Sequence, residues 1–255
     1  MKQDQFSRTR ALIGKAAMER LAESHVAIFG LGGVGGHAVE ALVRSGVGEL
    51  SLFDDDKICL TNLNRQIIAT RKTVGAYKAD TMAERVLDIN PNAVVHPQRV
   101  FYGPEVADQI DLAQFDYVID AIDTVTAKLE LATRAAESGT PIICAMGAAN
   151  KLDPTAFEVT DIFQTKHDPL ARVMRRELRK RGIERLRVVY SNEPARKPVE
   201  DLVKACSQNC VCPTDVARTC TARRQIPASN AFVPGTAGLI LAGEVIKALI
   251  ADVQS

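Results

Sequence analysis

Between an apolar run, His25 to Phe29, and a stretch of helix-like spacing lies Gly30-x-Gly32-x-x-Gly35, within HVAIFGLGGVGGHAVEALVRSG. Glycines in this order make a tight strand-to-helix turn, let the backbone approach a phosphate closely, and point the amides of a helix N-terminus at the anion. This is the fingerprint of dinucleotide-binding turns. Alone it does not separate a nicotinamide cofactor from another nucleotide.

The rest of the chain agrees with a strand feeding a helix at this point. A leading amphipathic helix is expected over residues 6–22, with Leu12, Ala16, Met18 and Leu21 on one face. Beyond it, short apolar runs (VAIF, LSLF, AVVH, YVIDAI, PIICA) alternate with helical patterns over 34–44, 76–89 and 125–138, the second stopped by Asn90-Pro91. Such alternation implies βαβ units. The expected fold class is α/β, a Rossmann-like, mainly parallel sheet with helices on both faces and a smaller C-terminal extension. Residues 1–150 would form the nucleotide-binding core. Residues 151–255 would add the strands FEVTDI and RVVYS, a Cys-bearing loop over about 191–225, and a helix over about 236–250.

Composition removes several classes of function. With 32 basic against 31 acidic residues and a net charge of +1, the chain has no bulk attraction for a polyanion, so any basic surface must be local. The opening MKQDQFSRTRALIGKAAMERL lacks the pattern of a signal peptide. The apolar segment from Ala231 to Gly243 is short, holds Pro234 and Thr236, and runs into Glu244 and Lys247, which argues against a membrane span. Six cysteines in such a chain read as thiols or metal ligands rather than a disulfide framework, with the cytosol as the expected compartment. Cys206, Cys210, Cys212 and Cys220 depart from structural-zinc pair spacing and are expected to be loop thiols, with zinc binding as the alternative. Cys59 and Cys144 belong in the core. His25, His37, His96 and His167 show no paired ligand spacing.

The chemistry-bearing residues follow the strands. Asp54 ends the second strand, where an acidic side chain can bind a ribose. Downstream come TNLNRQ, with Asn62, Arg65 and Gln66, then VGAYKAD with Lys78, and VIDAIDTV with Asp123 after the fourth strand. A nicotinamide has little use for an arginine, a lysine and a further carboxylate at one sheet edge. A nucleoside triphosphate does: Arg65 and Lys78 can neutralise β- and γ-phosphate charge while Asp123 holds Mg²⁺. Taken singly, Asp123 could instead cap the following helix, and Arg65 or Lys78 could form surface ion pairs. The phosphate-loop pattern GxxxxGK[ST] is absent from the sequence.

GLGGVGG, DDDKICLTNLNRQ, VGAYKAD and VIDAIDTV together resemble the HesA/MoeB/ThiF superfamily of ubiquitin-activating-enzyme-like proteins, which adenylate carboxylates. The resemblance implies ATP and Mg²⁺. It assigns Gly33 to the phosphates, Asp54 to the ribose, Arg65 and Lys78 to the phosphates and Asp123 to the metal, with Gly30, Gly32, Gly35, Asn62 and Gln66 in the same nucleotide set. It also implies a homodimer in which Arg8 reaches the partner subunit's ATP. Sulfur-carrier members usually bear two CxxC pairs, which this chain lacks. TDIFQTKHDPLARVMRRELRKRG and IPASNAFVPGTAGLILAGEVIKALI resemble instead the branch that acts on tRNA. That branch activates the threonyl carboxylate of a modified adenosine beside the anticodon and closes a ring with net loss of water. The alternatives are an adenylyltransferase for the C-terminal glycine of a ubiquitin-like sulfur carrier, a regulatory module that holds ATP without turnover, and an NAD oxidoreductase. A sulfur-transfer or desulfurase partner is not specified by the residues.

One segment departs from the neutral average. ARVMRRELRKRGIERLR crowds Arg172, Arg175, Arg176, Arg179, Lys180 and three further arginines together, while Leu170, Val173, Met174 and Leu178 recur at helical spacing. A solvated helix face is the bland reading, and tRNA contact is the expected one.

Overall fold

The computed structural model describes residues 3–199 and 227–253. Seven strands form one sheet, β1 (His25–Phe29), β2 (Glu49–Phe53), β3 (Val94–Gln98), β4 (Tyr117–Asp120), β5 (Ile142–Ala145), β6 (Phe157–Asp161) and β7 (Arg187–Ser191), in the order β3-β2-β1-β4-β5-β7-β6. All pairs are parallel except β6 with β7. The expected α/β class and mainly parallel sheet are therefore observed. The inner strands read as near-continuous apolar runs because both faces are covered.

One face, carrying Val26, Ile28, Leu50 and Leu52, packs on α3 (Gly35–Ser45), α4 (Lys78–Ile89) and α8 (Phe232–Leu249). The other carries a stack of aromatic rings, Phe29 on Phe53 with centroids 4.3 Å apart and Tyr102 edge-on to Phe29. This face is closed by α5 (Pro104–Ala107), α6 (Val125–Ser138) and, over β5 and β7, α7 (Pro169–Lys180). After β1 the strand order runs outward to β2 and β3, whereas β4 lies on the other side. The C-terminal ends of β1 and β4 therefore flank a topological switch point, where open α/β sheets hold their ligands.

Three helices differ from the sequence expectation by more than one residue. The leading helix is broken into α1 (Ser7–Ile13) and α2 (Lys15–Ala22) by Gly14, whose φ of +86° no helix can continue. The second core helix starts at Lys78 rather than 76. The last helix starts at Phe232 and reaches Leu249, so it is long and apolar enough to cross a membrane. Its burial has another cause: Ala237, Leu241, Ala242 and Val245 pack into the core beside α3. Cys59 and Cys144 are buried. Cys206, Cys210, Cys212 and Cys220 lie outside the described residues.

Candidate nucleotide site

The cleft at the switch point has a volume of about 890 Å³ and gathers the expected site residues from five separated segments. Gly30, Gly32 and Gly33 come from the turn after β1, and Asp54 follows β2. Asn62, Arg65 and Gln66 come from the 3-10 turn Leu60–Asn64 and the residues after it, Lys78 from the first position of α4, and Asp123 from the loop after β4. A further wall, Ala145 to Ala149 with Pro227 to Ser229, completes it.

The glycines do different things. Gly30 has φ +90°, and a Cβ there would lie 2.7 Å from the Ala121 carbonyl oxygen, so β1 and β4 can close on each other only with glycine. A Cβ on Gly33 would meet the Arg65 side chain at 3.1 Å and Pro234 at 3.3 Å, filling the cradle before α3. Gly35 does not line the cleft. A Cβ on it would sit 1.8 Å from the Gly30 carbonyl oxygen, which makes it the contact that draws α3 against β1.

Asp54 is held by backbone donors. Its Oδ2 accepts from Leu31 N–H at 2.7 Å and its Oδ1 from Asp56 N–H at 2.9 Å. Burial pushes its pKa up, with Lys78, 3.4 Å away, opposing that push. Lys78 is buried too, and burial works against its charge. The carboxylates of Asp54 and Asp56, the latter at 2.6 Å, outweigh that and raise its pKa. The lysine is therefore a fixed cation at the head of α4 rather than a surface ion pair.

Arg65 donates to the Thr61 carbonyl at 3.2 Å and to Asn64 Oδ1 at 2.9 Å, which holds its guanidinium along the cleft wall. The Asn62 side chain is buried and accepts from Cys59 N–H at 3.0 Å. Gln66 is buried with Oε1 lacking any hydrogen-bond partner among the described residues. An orphaned acceptor in the cleft wall suits a site that takes a polar ligand. Asp123 is exposed at the cleft edge, and α6 begins after Thr124 without a side-chain cap, so Asp123 is not that helix's N-cap.

Other candidates lie apart from the cleft. Arg8 is exposed on α1 and is not among the residues lining it. The basic segment forms α7, which buries Ala171, Met174 and Leu178, with Leu170 and Val173 half-buried. Arg172, Arg176, Arg179 and Lys180 are exposed. Arg175 differs: half-buried, it donates to the Thr165 carbonyl at 3.1 Å and to the Thr165 hydroxyl, so it braces the helix. Glu177 tempers the patch by pairing with Arg176 at 2.8 Å and Lys180 at 3.0 Å.

Sequence reasoning missed the residues that brace this further wall. Asp168 is fully buried; its Oδ1 caps α7 by accepting from Ala171 N–H at 2.9 Å, and its Oδ2 accepts from Gly147 N–H at 3.0 Å. Lys151 stands 3.8 Å from that carboxylate and donates to the Ser191 carbonyl at 2.8 Å. The basic helix is thus tied to the cleft wall through one carboxylate. Flanking this pair are the two non-glycine residues with positive φ among the described residues, Asn150 at 61° and His167 at 56°. Asn150 binds Ala228 through both its backbone N–H and its side-chain oxygen, at 2.8 Å each. The only sequence signal was Asp168-Pro169, an N-cap followed by a first-turn proline.

A strand-end cleft with a glycine cradle, a ribose-type carboxylate and two cations is what a nucleotide-dependent α/β enzyme requires, and the chain belongs to the ThiF family, whose sequence model matches residues 6–255. It is 44% identical over 251 residues to tRNA threonylcarbamoyladenosine dehydratase of Bacillus subtilis (strain 168), an alignment covering 98% of this chain and 96% of that protein. Among solved structures it is similar to E. coli tRNA N6-threonylcarbamoyladenosine dehydratase, TcdA, in complex with AMP (TM-score 0.84) and with ATP (TM-score 0.83). Each is 32% identical, covering 98% of this chain and 95% of that one.

Proposed function

We propose that this chain is an ATP-dependent enzyme that dehydrates N6-threonylcarbamoyladenosine in tRNA to its cyclic form. The observation that carries the reading is the single cleft gathering Gly33, Asp54, Arg65, Lys78 and Asp123 at the β1/β4 switch point. The near full-length likeness to dehydratases, one bound to ATP and one to AMP, supports it.

In this reading the threonyl carboxylate attacks the α-phosphorus of ATP and pyrophosphate leaves. An internal nitrogen then attacks the acyl-adenylate carbonyl, AMP departs, and the net change is loss of one water. A carboxylate is a poor electrophile at neutral pH, and exchanging its oxide for AMP supplies a leaving group. No cysteine nucleophile is needed for these steps. The chain's task is positioning and charge neutralisation. Asp54 orients the ribose, Gly33 admits the phosphates to the N-terminus of α3, and Arg65 and Lys78 offset charge on the departing pyrophosphate. Asp123 would hold Mg²⁺, whose chemistry is further neutralisation of that charge.

The partner reading is a homodimer, with Arg8 serving the ATP of the second copy, since it is exposed and outside its own cleft. The tRNA reading rests on Arg172, Arg176, Arg179 and Lys180 of α7, joined to the cleft wall through Asp168. Cytoplasmic tRNA is the corresponding substrate. Purified chain incubated with ATP, Mg²⁺ and tRNA bearing the open nucleoside should yield, by mass spectrometry, a nucleoside lighter by one water together with AMP. Unchanged nucleosides alongside adenylation of a sulfur-carrier protein would replace this reading with carrier activation.

A further inference from the structure

At the end of the sheet opposite the nucleotide cleft, three neighbouring strands bring His25, Glu49 and His96 together. His25 pairs in register with Glu49, and Ser51 with His96. Strand alternation therefore sets all four side chains on the face that carries the aromatic stack. No sequence spacing could show this, because each ligand comes from a different strand.

The geometry suits a small cation. His96 Nε2 lies 2.8 Å and His25 Nδ1 3.5 Å from the same oxygen, Oε1 of Glu49, and one ligand atom from each residue falls within 4.8 Å of the others. A tetrahedral ion with nitrogen and oxygen ligands at about 2.0–2.2 Å spaces them roughly 3.3 Å apart, between the two observed separations. The far nitrogen of His25, Nε2, is 2.9 Å from Ser51 Oγ, and the ring stands edge-on to Phe115 with centroids 4.8 Å apart. Such an outer partner is what fixes a ligating imidazole.

We propose that His25, Glu49 and His96 form a site for a divalent transition-metal ion of the zinc class, with water completing its coordination. Two imidazoles and one carboxylate suit Zn²⁺ better than the oxygen-seeking Mg²⁺ or Ca²⁺. The ion ties edge strand β3, on which Val94 is 51% exposed, to β2 and β1. It stands apart from the reaction, because the length of β1 places it roughly 16 Å from the glycine turn.

Metal-stripped full-length protein is titrated with Zn²⁺ by calorimetry and followed in thermal unfolding. Zn²⁺ should raise the unfolding temperature. His96→Ala, a change on the exposed edge strand, should remove one equivalent of bound Zn²⁺ and the temperature rise, whatever Cys206, Cys210, Cys212 and Cys220 bind. Glu49→Gln, which keeps the shape and removes the charge, should weaken the same equivalent by at least about tenfold. Zn²⁺ stoichiometry and temperature response unchanged in both variants, or no Zn²⁺ bound by the parent, overturns the proposal.

Discussion

Asp120 and Asp123 stand three residues apart in VIDAID, yet their surroundings give them separate work. Asp120 is fully buried at the end of β4, accepts from Ile122 N–H at 3.1 Å, and lies 2.9 Å from the equally buried Lys128 ammonium. That pair shapes the loop on whose outer edge Asp123 meets the cleft. Asp123→Asn should leave the thermal transition in place while abolishing most dehydration at saturating ATP, because a neutral amide is a poor ligand for Mg²⁺. Turnover equal to the parent would remove Asp123 from the metal role. Lys128→Ala should act on the fold instead, leaving Asp120 as an uncompensated buried charge at a cost of about 3–5 kcal/mol in urea denaturation. The candidate residues legible in the sequence are those whose chemistry is local in the chain: the glycine turn, Asp54 after its strand, Arg65 and Lys78 in short polar motifs. Asp168, the Asp120–Lys128 pair and the His25–Glu49–His96 cluster were not legible, because their meaning depends on partners that only the sheet brings near.

At the scale of elements, α8 shows how a segment far along the chain shapes the first turn. Gly235 and Gly238 let this helix lie directly on α3: a Cβ on Gly238 would be 2.2 Å from the Val34 carbonyl oxygen and 2.9 Å from His37. Pro234, at the same end, forms one wall of the Gly33 cradle. Gly238→Ala should therefore push α8 off α3, costing about 1–3 kcal/mol and weakening ATP binding measured by calorimetry. A variant as stable as the parent would show that α8 is free to shift. The α3–α4 contact adds an electrostatic element. Glu40 is largely buried, and although burial alone would raise its pKa, Arg85 at 2.6 Å and Arg44 at 2.6 Å hold it below the usual carboxylate range. A folded-state pKa below the unfolded value stabilises the protein above the unfolded pKa. That stability is lost as pH falls through the folded one. Glu40→Gln should thus lower stability at neutral pH by about 1–3 kcal/mol, with the gap closing below pH of about 4. A gap constant across that range would mean that the pair contributes through shape alone. The helix break at Gly14 was hidden in the sequence because apolar spacing on either side stays helical, and only the left-handed φ at that residue reveals the turn.

Across the whole molecule, the near-neutral charge makes α7 informative. A protein with net charge +1 does not draw in a polyanion through its overall field, so recognition of tRNA must be concentrated where exposed cations gather. The sequence pattern located that helix and much of its buried stripe, but it treated all the arginines alike. The fold separates them. Arg175 is spent on Thr165, Arg176 and Lys180 share Glu177, and Arg179 lies over the Phe163 ring at 5.1 Å, while Arg172 and Arg179 remain exposed two turns apart on one side of the helix. Asp168 then fixes the start of that helix to Gly147 in the cleft wall, so a tRNA lying along α7 would also be registered against a nucleotide in the cleft. If Arg172 and Arg179 meet phosphates, replacing both by Ala should weaken tRNA binding several-fold and lower the log–log salt slope by about one and a half units, with ATP affinity unchanged. Arg175→Ala should differ in kind, lowering the unfolding temperature through loss of its bonds to Thr165 while changing the salt slope little. A slope unaltered in the double variant would assign α7 to a solvated face and place the phosphate contacts on another part of the surface.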